Sequence, residues 1–314
     1  MTTFTGVPIH NALKTGEDRF AKGYIETIIA GVPFFKMSSV LPIDGRVYNQ
    51  EHEYVLPDVQ FRDLNEYPAD THGDTVDSTW GTAIIHSRIK IDRAALRSGM
   101  SNPAKLIARR YREHAKSAAM RVNWESINGT GASKGYKGLK QLITDGWGFA
   151  TNVTTDGNLS FDTLDRVWKD VEGGAPNLIL TNVDVETEFT IKARAHSSFP
   201  LLDVGTDALG QPVMRYRGTP IESLRLGRNA SGANVDILPN TEVGDGGNDT
   251  GSLYLIRFGE DAVTTLLGNQ ASMEMQSLGE STEGPYLVGQ LEFYPGLASF
   301  DKYALHRYAG ITLS

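Results

Sequence analysis

The segment Gly129-Thr130-Gly131-Ala132-Ser133-Lys134-Gly135 brings glycines, hydroxyls and a lysine together, the materials of a phosphate-binding loop. Such a loop needs G-x-x-x-x-G-K-[ST] after a strand and ahead of a helix, so that backbone N–H groups face the phosphate. Here the glycines follow a helical pattern and Gly135 precedes Tyr136, so a helix exit and a tight turn account for them. Ser87-Arg88-Ile89-Lys90 spells S-x-x-K, the spacing at which a lysine one helical turn away activates a serine for acyl transfer. This one lies in an alternating stretch that reads as strand, where residues three apart point to opposite faces.

Histidines stand at 10, 52, 72, 86, 114, 196 and 306, with no i, i+4 pair that would hold zinc on a helix. Asp245-Gly246-Gly247-Asn248-Asp249 is acidic and glycine-rich but does not match the calcium-loop pattern, and reads as a surface loop. Asp162, Asp165, Asp170 and Glu172 fall on one short helix, where a solvated face is the default. No nucleophile meets a base in any of these patterns. The expectation is a chain that is not an enzyme, with no catalytic residue, metal or cofactor.

Composition narrows the classes further. Of 314 residues, 40% are hydrophobic and 22% charged, ordinary values for a globular chain with a real core. There is no cysteine, so disulfides, thiolate metal sites and thiol nucleophiles are excluded. No apolar run approaches the ~20 residues that span a bilayer, and Met1 to Gly16 lacks the apolar stretch of a signal peptide. The net charge is −8, whereas a freestanding nucleic-acid binder is usually basic.

That charge is unevenly spread. Residues 101–140 hold nine Lys/Arg against two Glu, a net +7. Residues 51–77 hold eight acids and one Arg, a net −7. Two readings stand: self-complementary contacts between copies, or two solvated faces.

Several elements are legible. Residues 1–16 read as a flexible arm, and Glu17 to Ala30 as a short helix with Phe20, Tyr24 and Ile28 on one stripe. Within 42–92, Val59 and Phe61 alternate with Gln60 and Arg62, and Ile89 and Ile91 with Arg88, Lys90 and Asp92. Both read as strands of a long arm with a polar, turn-rich tip at 65–79 and few core residues of its own. An isolated two-stranded arm is marginal in water, so it needs another surface to lie on.

The clearest helix runs from about Asn102 to Ile127. Asn102 is its N-cap, Pro103 its first residue and Asn128-Gly129 its end. Ile107, Tyr111, Ala115, Ala118 and Val122 form its apolar stripe, and Lys105, Arg109, Arg112 and Lys116 a separate basic one. Beyond it come a helix at Phe161–Glu172, a buried strand at Asn177–Thr181, a helix at Asp184–Ala195 and a bent strand at Tyr216–Ile221. A strand at Leu253–Phe258 follows, then long strands over Tyr286–Thr312 broken at Pro295-Gly296. Asn229 to Gly251 reads as a mobile loop.

The order of these parts carries a resemblance. A polar arm, a long acidic two-stranded loop and a long helix closing in Asn-Gly precede a mixed unit with Tyr216-Arg217-Gly218-Thr219-Pro220-Ile221 and a terminal strand system. The chain resembles the Hong Kong 97-type capsid fold of tailed phages. Residues 13–26 (LKTGEDRFAKGYIE), Leu56-Pro57-Asp58-Val59-Gln60-Phe61-Arg62 and Ile127-Asn128-Gly129 resemble one family of phage major capsid proteins.

The resemblance implies an α+β fold. Its parts are an N-terminal arm with a short helix at 1–36, an extended two-stranded loop at 37–93 and a peripheral domain with a spine helix at 94–149. An axial domain at 150–280 follows, and C-terminal strands at 281–314 return to the peripheral domain. It implies hexamers and pentamers of an icosahedral virion head, assembled in the host cytoplasm, with a portal protein and packaged double-stranded DNA and no membrane. A short arm implies a separate scaffolding protein. Some relatives cross-link through a lysine on the extended loop. No lysine lies between Met37 and Ile89, so no cross-link is expected.

In that fold the extended loop crosses the neighbour's peripheral domain. The resemblance therefore implies subunit contacts through Asp58, Arg62, Asp63 and Glu66 on the loop and Lys134, Lys137 and Lys140 after the spine helix. It implies a lumen, DNA-facing role for Lys105, Arg109, Arg112 and Lys116. Two rivals remain: an encapsulin-like nanocompartment subunit, and an α+β enzyme whose site is unrecognised.

Overall fold

The computed structural model describes residues 32–313 except 56, 60, 65, 68–71, 73, 95–102, 133, 196–201, 207–211, 244–248, 269–273 and 281–283. The arm at 1–16, the helix at 17–30 and the Asn102 cap lie outside the described residues. The fold is α+β, as expected.

A short helix, α1 (Pro33–Met37), opens the described chain. The spine helix, α2 (Pro103–Asn128), has 26 residues and is roughly 39 Å long at 1.5 Å per residue. Its apolar stripe is the reason it sits where it does. Tyr111, Ala115, Ala118 and Val122 are buried, against a core that includes Phe34, Phe35, Ile89 and Leu266. The small alanines let neighbouring backbone approach the helix closely. Helix α3 (Leu139–Thr144) follows, then α4 (Phe161–Asp170) and α5 (Val183–Ala195). Ser160 caps α4, its Oγ accepting from the Thr163 N–H at 3.4 Å.

The centre of the molecule is a mixed sheet. Its spatial order is Phe149–Asn158, Leu305–Thr312, Asp249–Ile256, Leu178–Asn182, Thr219–Leu224, Pro212–Tyr216 and Leu202–Thr206, with Glu242–Val243 added beside Asp249–Ile256. Successive strand residues point to opposite faces, and here both faces are covered. Leu178, Leu180, Tyr254 and Ile256 join the core of α2, while Ile179, Leu253 and Leu255 join a second core with Leu164 and Val167 of α4 and Val185 and Phe189 of α5. Burial on both faces is why Leu178–Asn182 reads as an uninterrupted run and is buried throughout.

Two three-stranded sheets flank α2. One pairs Ile85–Asp92 with Tyr286–Phe293, and Tyr286–Phe293 with Glu274–Glu280, all antiparallel. The other sets Val40–Pro42 parallel to Val263–Leu267, which pairs antiparallel with Pro295–Ser299.

Five expectations are corrected. Val59 and Phe61 are not in a strand, because neither face of that stretch is buried. The hairpin is instead Val47–Val55 paired with Asp74–Gly81. Ile89 and Ile91 do lie in a strand, but it pairs with Tyr286–Phe293, and both are buried in the core. Tyr216–Ile221 is a tight hairpin and not a bent strand. Arg217 (φ 49°) and Gly218 (φ 83°) occupy a two-residue turn with positive φ at both positions, the geometry that matches strand twist. Residues 229–251 are not a bare loop: Asn234–Asp236 pairs with Leu226–Arg228, and Ile237 and Leu238 are buried. The C-terminal segment also divides, with Tyr286–Phe293 beside the spine helix unit and Leu305–Thr312 inside the large sheet.

Candidate assembly surfaces

The hairpin is held at its base by aromatic packing. Trp80, 2% exposed, packs edge-on to Trp147 at 5.1 Å and to Phe300 at 6.3 Å between ring centroids, and Tyr48 lies 5.9 Å from Phe300. The Thr82 N–H and Oγ1 both donate to the Arg46 carbonyl, at 2.9 and 3.2 Å. Three segments distant in sequence meet here, so no local pattern announces the anchor.

Beyond that base the hairpin runs out of core. Among the described residues from 49 to 79, Ser78 is the buried one. At the tip, Val59, Phe61, Leu64 and Tyr67 are 87%, 107%, 89% and 96% exposed. Four large apolar side chains within nine residues make a patch of the kind that marks an interaction site. Asp58, Arg62, Asp63 and Glu66 are exposed among them. A small turn organises the charges: the Glu66 N–H donates to the Asp63 carbonyl (3.2 Å), and the Asp63 N–H donates to Glu66 Oε2 (3.0 Å). Arg62 Nη1 donates to the Glu66 carbonyl at 3.2 Å.

The basic stripe of α2 faces away from its buried side. Arg109, Arg112 and Lys116 are exposed; the Lys105 side chain lies outside the described residues. Glu113 sits between Arg109 (2.9 Å) and Arg110 (3.0 Å). Its hydrogen bond to Arg109 leads the causes that hold its carboxyl below the usual carboxylate range. Arg112 and Lys116 have no polar partner among the described residues, so they carry the stripe's uncompensated charge.

The turn after α2 is built around a buried acid. Glu125 pairs with Arg121 at 2.8 Å, and its side chain is 8% exposed. Burial pushes its carboxyl above the ordinary range, against the pull of Arg121. Gly135 packs directly on it, and a Cβ at 135 would collide with Glu125 Oε1. A Cβ at Gly129 would meet the Tyr136 carbonyl. These glycines serve close packing, and the turn is not a phosphate loop.

The three lysines that follow are not equivalent. Lys134 is exposed with φ 74°, Lys137 pairs with Asp145 of its own chain at 2.7 Å, and Lys140 is half-buried on α3. Asp145 lies below the ordinary carboxylate range, the hydrogen bonds from Lys137 and Gln141 outweighing the first effect, desolvation. Of the nine basic residues in 101–140, Arg109, Arg110, Arg121 and Lys137 are thus paired within the chain, through Glu113, Glu125 and Asp145; the first two acids are already counted in the net +7, and Asp145 lies outside it. Among the described residues no cluster of three His, Asp or Glu could hold a metal ion, and no helix is long and apolar enough to cross a membrane.

No family model matches the chain, and no curated protein matches it. Solved structures do. The chain is similar to the SrpI encapsulin of Synechococcus elongatus PCC 7942, with a TM-score of 0.64 at 15% identity over 88% of this chain and 86% of that one. It is similar to a protein of Microbacterium phage Oxtober96, with 0.60 at 9% identity over 88% and 90%. It is also similar to the capsid of an empty GTA particle, with 0.59 at 11% identity over 89% of each chain. At such identities likeness speaks for the fold, and the fold of this chain is the Hong Kong 97-type capsid fold.

Proposed function

We propose that the chain is the structural subunit of a closed icosahedral shell, the head of a tailed phage. The carrying observation is the hairpin 47–81, anchored on Trp80 and ending in an apolar tip that is exposed among the described residues. Copies packed side by side bury that tip against a neighbour. In this reading residues 37–93 are the extended loop and 94–149 the peripheral domain. Residues 150–280, together with the strand Leu305–Thr312 paired into their sheet, form the axial domain. The chain acts as a building block and not as a catalyst.

The partners follow from the same reading. Copies of the chain form hexamers and pentamers, a separate scaffolding protein sets their curvature, and a portal protein occupies one vertex. Arg112 and Lys116, with Arg109 and Lys105 on the same stripe, face packaged double-stranded DNA and offset its phosphate charge without reading sequence. Asp58, Arg62, Asp63, Glu66 and Lys134 act between subunits. Lys137 and Lys140 contribute less, because Lys137 is already paired and Lys140 is half-buried.

The test is negative-stain microscopy of the expressed chain, alone and with the phage's scaffolding protein. Closed shells are expected. A well-folded monomer under all conditions would overturn the reading. A second reading, a nanocompartment shell, is favoured by the TM-score of 0.64 to an encapsulin. Shells that form without scaffold and carry a cargo protein in place of DNA would select it. Reversing Arg109 and Arg112 to Glu separates the two as well: a phage head then assembles but loses its hold on DNA, whereas a cargo shell is indifferent.

A further inference from the structure

A cavity of about 250 Å³ lies where three elements converge: α2, the start of the strand Ile85–Asp92, and the hairpin made by Leu226–Arg228 and Asn234–Asp236. Its polar lining is His86 and Ser87 from the strand, His114, Ser117 and Arg121 from α2, Arg228 from the hairpin and Asn229 from its turn, whose Oδ1 already accepts from Ser231 Oγ and the Ala233 N–H. No carboxylate lines it. In a chain of net charge −8, a cavity lined by two arginines, two histidines and no acid is a local departure, and since Glu125 answers Arg121 the charge left over is that of Arg228.

Arg228 and His114 are held in place but not saturated. Arg228 Nη1 donates to Ser117 Oγ at 2.6 Å, and Nε donates to the Gly232 carbonyl at 3.0 Å. Both acceptors are neutral, so the half-buried guanidinium has no anion opposite it among the described residues, and its Nη2 has no partner there. Ser87 Oγ and His114 Nδ1 share a hydrogen bond of 2.6 Å, which fixes the ring and leaves Nε2 without a partner among the described residues. His86 makes no hydrogen bond among them. Arg121 gives one Nη2 contact to Glu125 and keeps its other donors. Fixed donors converging on a small space are what an oxyanion needs, because charge-assisted bonds to preset groups lose little entropy on forming.

We propose that this cavity binds a tetrahedral oxyanion, inorganic phosphate in the first instance, with Arg228 as its principal ligand and Arg121, His86 and His114 as supporting donors. Size selects among sources of that chemistry. Pockets for drug-sized ligands begin near ~300 Å³, so the space suits a free anion better than a nucleotide. The bound anion would tie the hairpin at 226–236 and the strand at 85–92 to α2. The site belongs to the single chain and stands apart from the shell reading, so either can fail without the other.

Isothermal titration of the full chain with sodium phosphate, against sodium chloride at matched ionic strength, tests it. One phosphate per subunit is expected, with a saturable rise in melting temperature. Arg228→Gln should weaken binding at least tenfold. His86→Gln, which removes no hydrogen bond among the described residues, should weaken it about threefold or more even if Arg228→Gln fails to fold. Arg166→Gln, an exposed charge on α4 away from the cavity, should leave binding unchanged. Adenosine monophosphate binding more tightly than phosphate, with the same dependence on His86 and Arg228, would support the site and assign it to a phosphomonoester. No saturable heat with millimolar phosphate would overturn the proposal. Binding that ignores both cavity variants, or that Arg166→Gln weakens equally, would overturn it too.

Discussion

Replacing Phe61, Leu64 and Tyr67 together by Ser tests the role of the hairpin tip. These side chains are 107%, 89% and 96% exposed, so within one chain their removal deletes almost no burial. Surface substitutions away from packing features stay within about 0.5 kcal/mol, and the subunit's melting temperature should not move by more than a few degrees. Between subunits the expectation reverses. Full burial of a large apolar side chain is worth about 1.5–3 kcal/mol, so three come to roughly 5–9 kcal/mol per contact. Ordering the tip and imperfect packing remove part of that. Retaining half leaves ~2.5–4.5 kcal/mol, or at least about 60-fold in contact affinity at 1.4 kcal/mol per decade. Light scattering against protein concentration reads this directly: the triple variant should need a far higher concentration to assemble, with an unchanged circular dichroism spectrum. Assembly at the wild-type threshold would show that the tip is not buried in the shell. A variant that fails to fold would show that the tip packs within its own chain.

Trp80→Ala should behave in the opposite way, destabilising the subunit itself by about 3–5 kcal/mol in urea unfolding, since it empties the aromatic anchor beside Trp147 and Phe300. Burial holds His306 and His114 below the ordinary imidazole range. Each therefore stays neutral when folded and takes a proton when unfolded below pH ~6.5, so stability is full above that pH and falls as the solution is acidified. Denaturant unfolding at pH 7.5 and 5.5 should show the loss, with a slope of at most ~1.4 kcal/mol per pH unit for each group, and His306→Asn should flatten it. Mature shells boiled in detergent should run as one band near 34.3 kDa, because the lysine-free stretch 38–88 offers no amine for a cross-link; ladders that resist reductant would refute this.

The spine helix was legible in the sequence because its buried stripe repeats at helical spacing and Pro103 marks its start. Leu178–Asn182 was legible because burial on both faces leaves a continuous apolar run. The hairpin strands were not, for the converse reason. Val47–Val55 and Asp74–Gly81 are polar along most of their length and are held by their ladder, so apolar alternation passed over them and settled on Val59 and Phe61. Alternation reports a strand only where one face finds a core, and the tip has none among the described residues. The basic and acidic blocks were legible as counts, but not as geometry. Glu113, Glu125 and Asp145 pair with Arg109, Arg110, Arg121 and Lys137, and only coordinates show which charges are engaged. The cavity proposed for an oxyanion draws its seven polar side chains from three separated segments, and no spacing rule joins His86, His114 and Arg228.

The strand Leu305–Thr312 lies between Phe149–Asn158 and Asp249–Ile256, and its Leu305, Tyr308 and Ile311 enter both cores. That position sets a clock on biosynthesis. Phe149–Asn158 leaves the ribosome about 150 residues before its sheet partner exists, a delay on the order of 10–30 s at ribosomal rates. Until then the large sheet is open on an inner edge, and the wall between the two cores is incomplete. In the shell reading, a nascent chain that lacks Leu305–Thr312 is therefore not yet a finished assembly unit. Completion of both cores waits on that one strand, so a chain cut short before it would leave apolar surface of both uncovered.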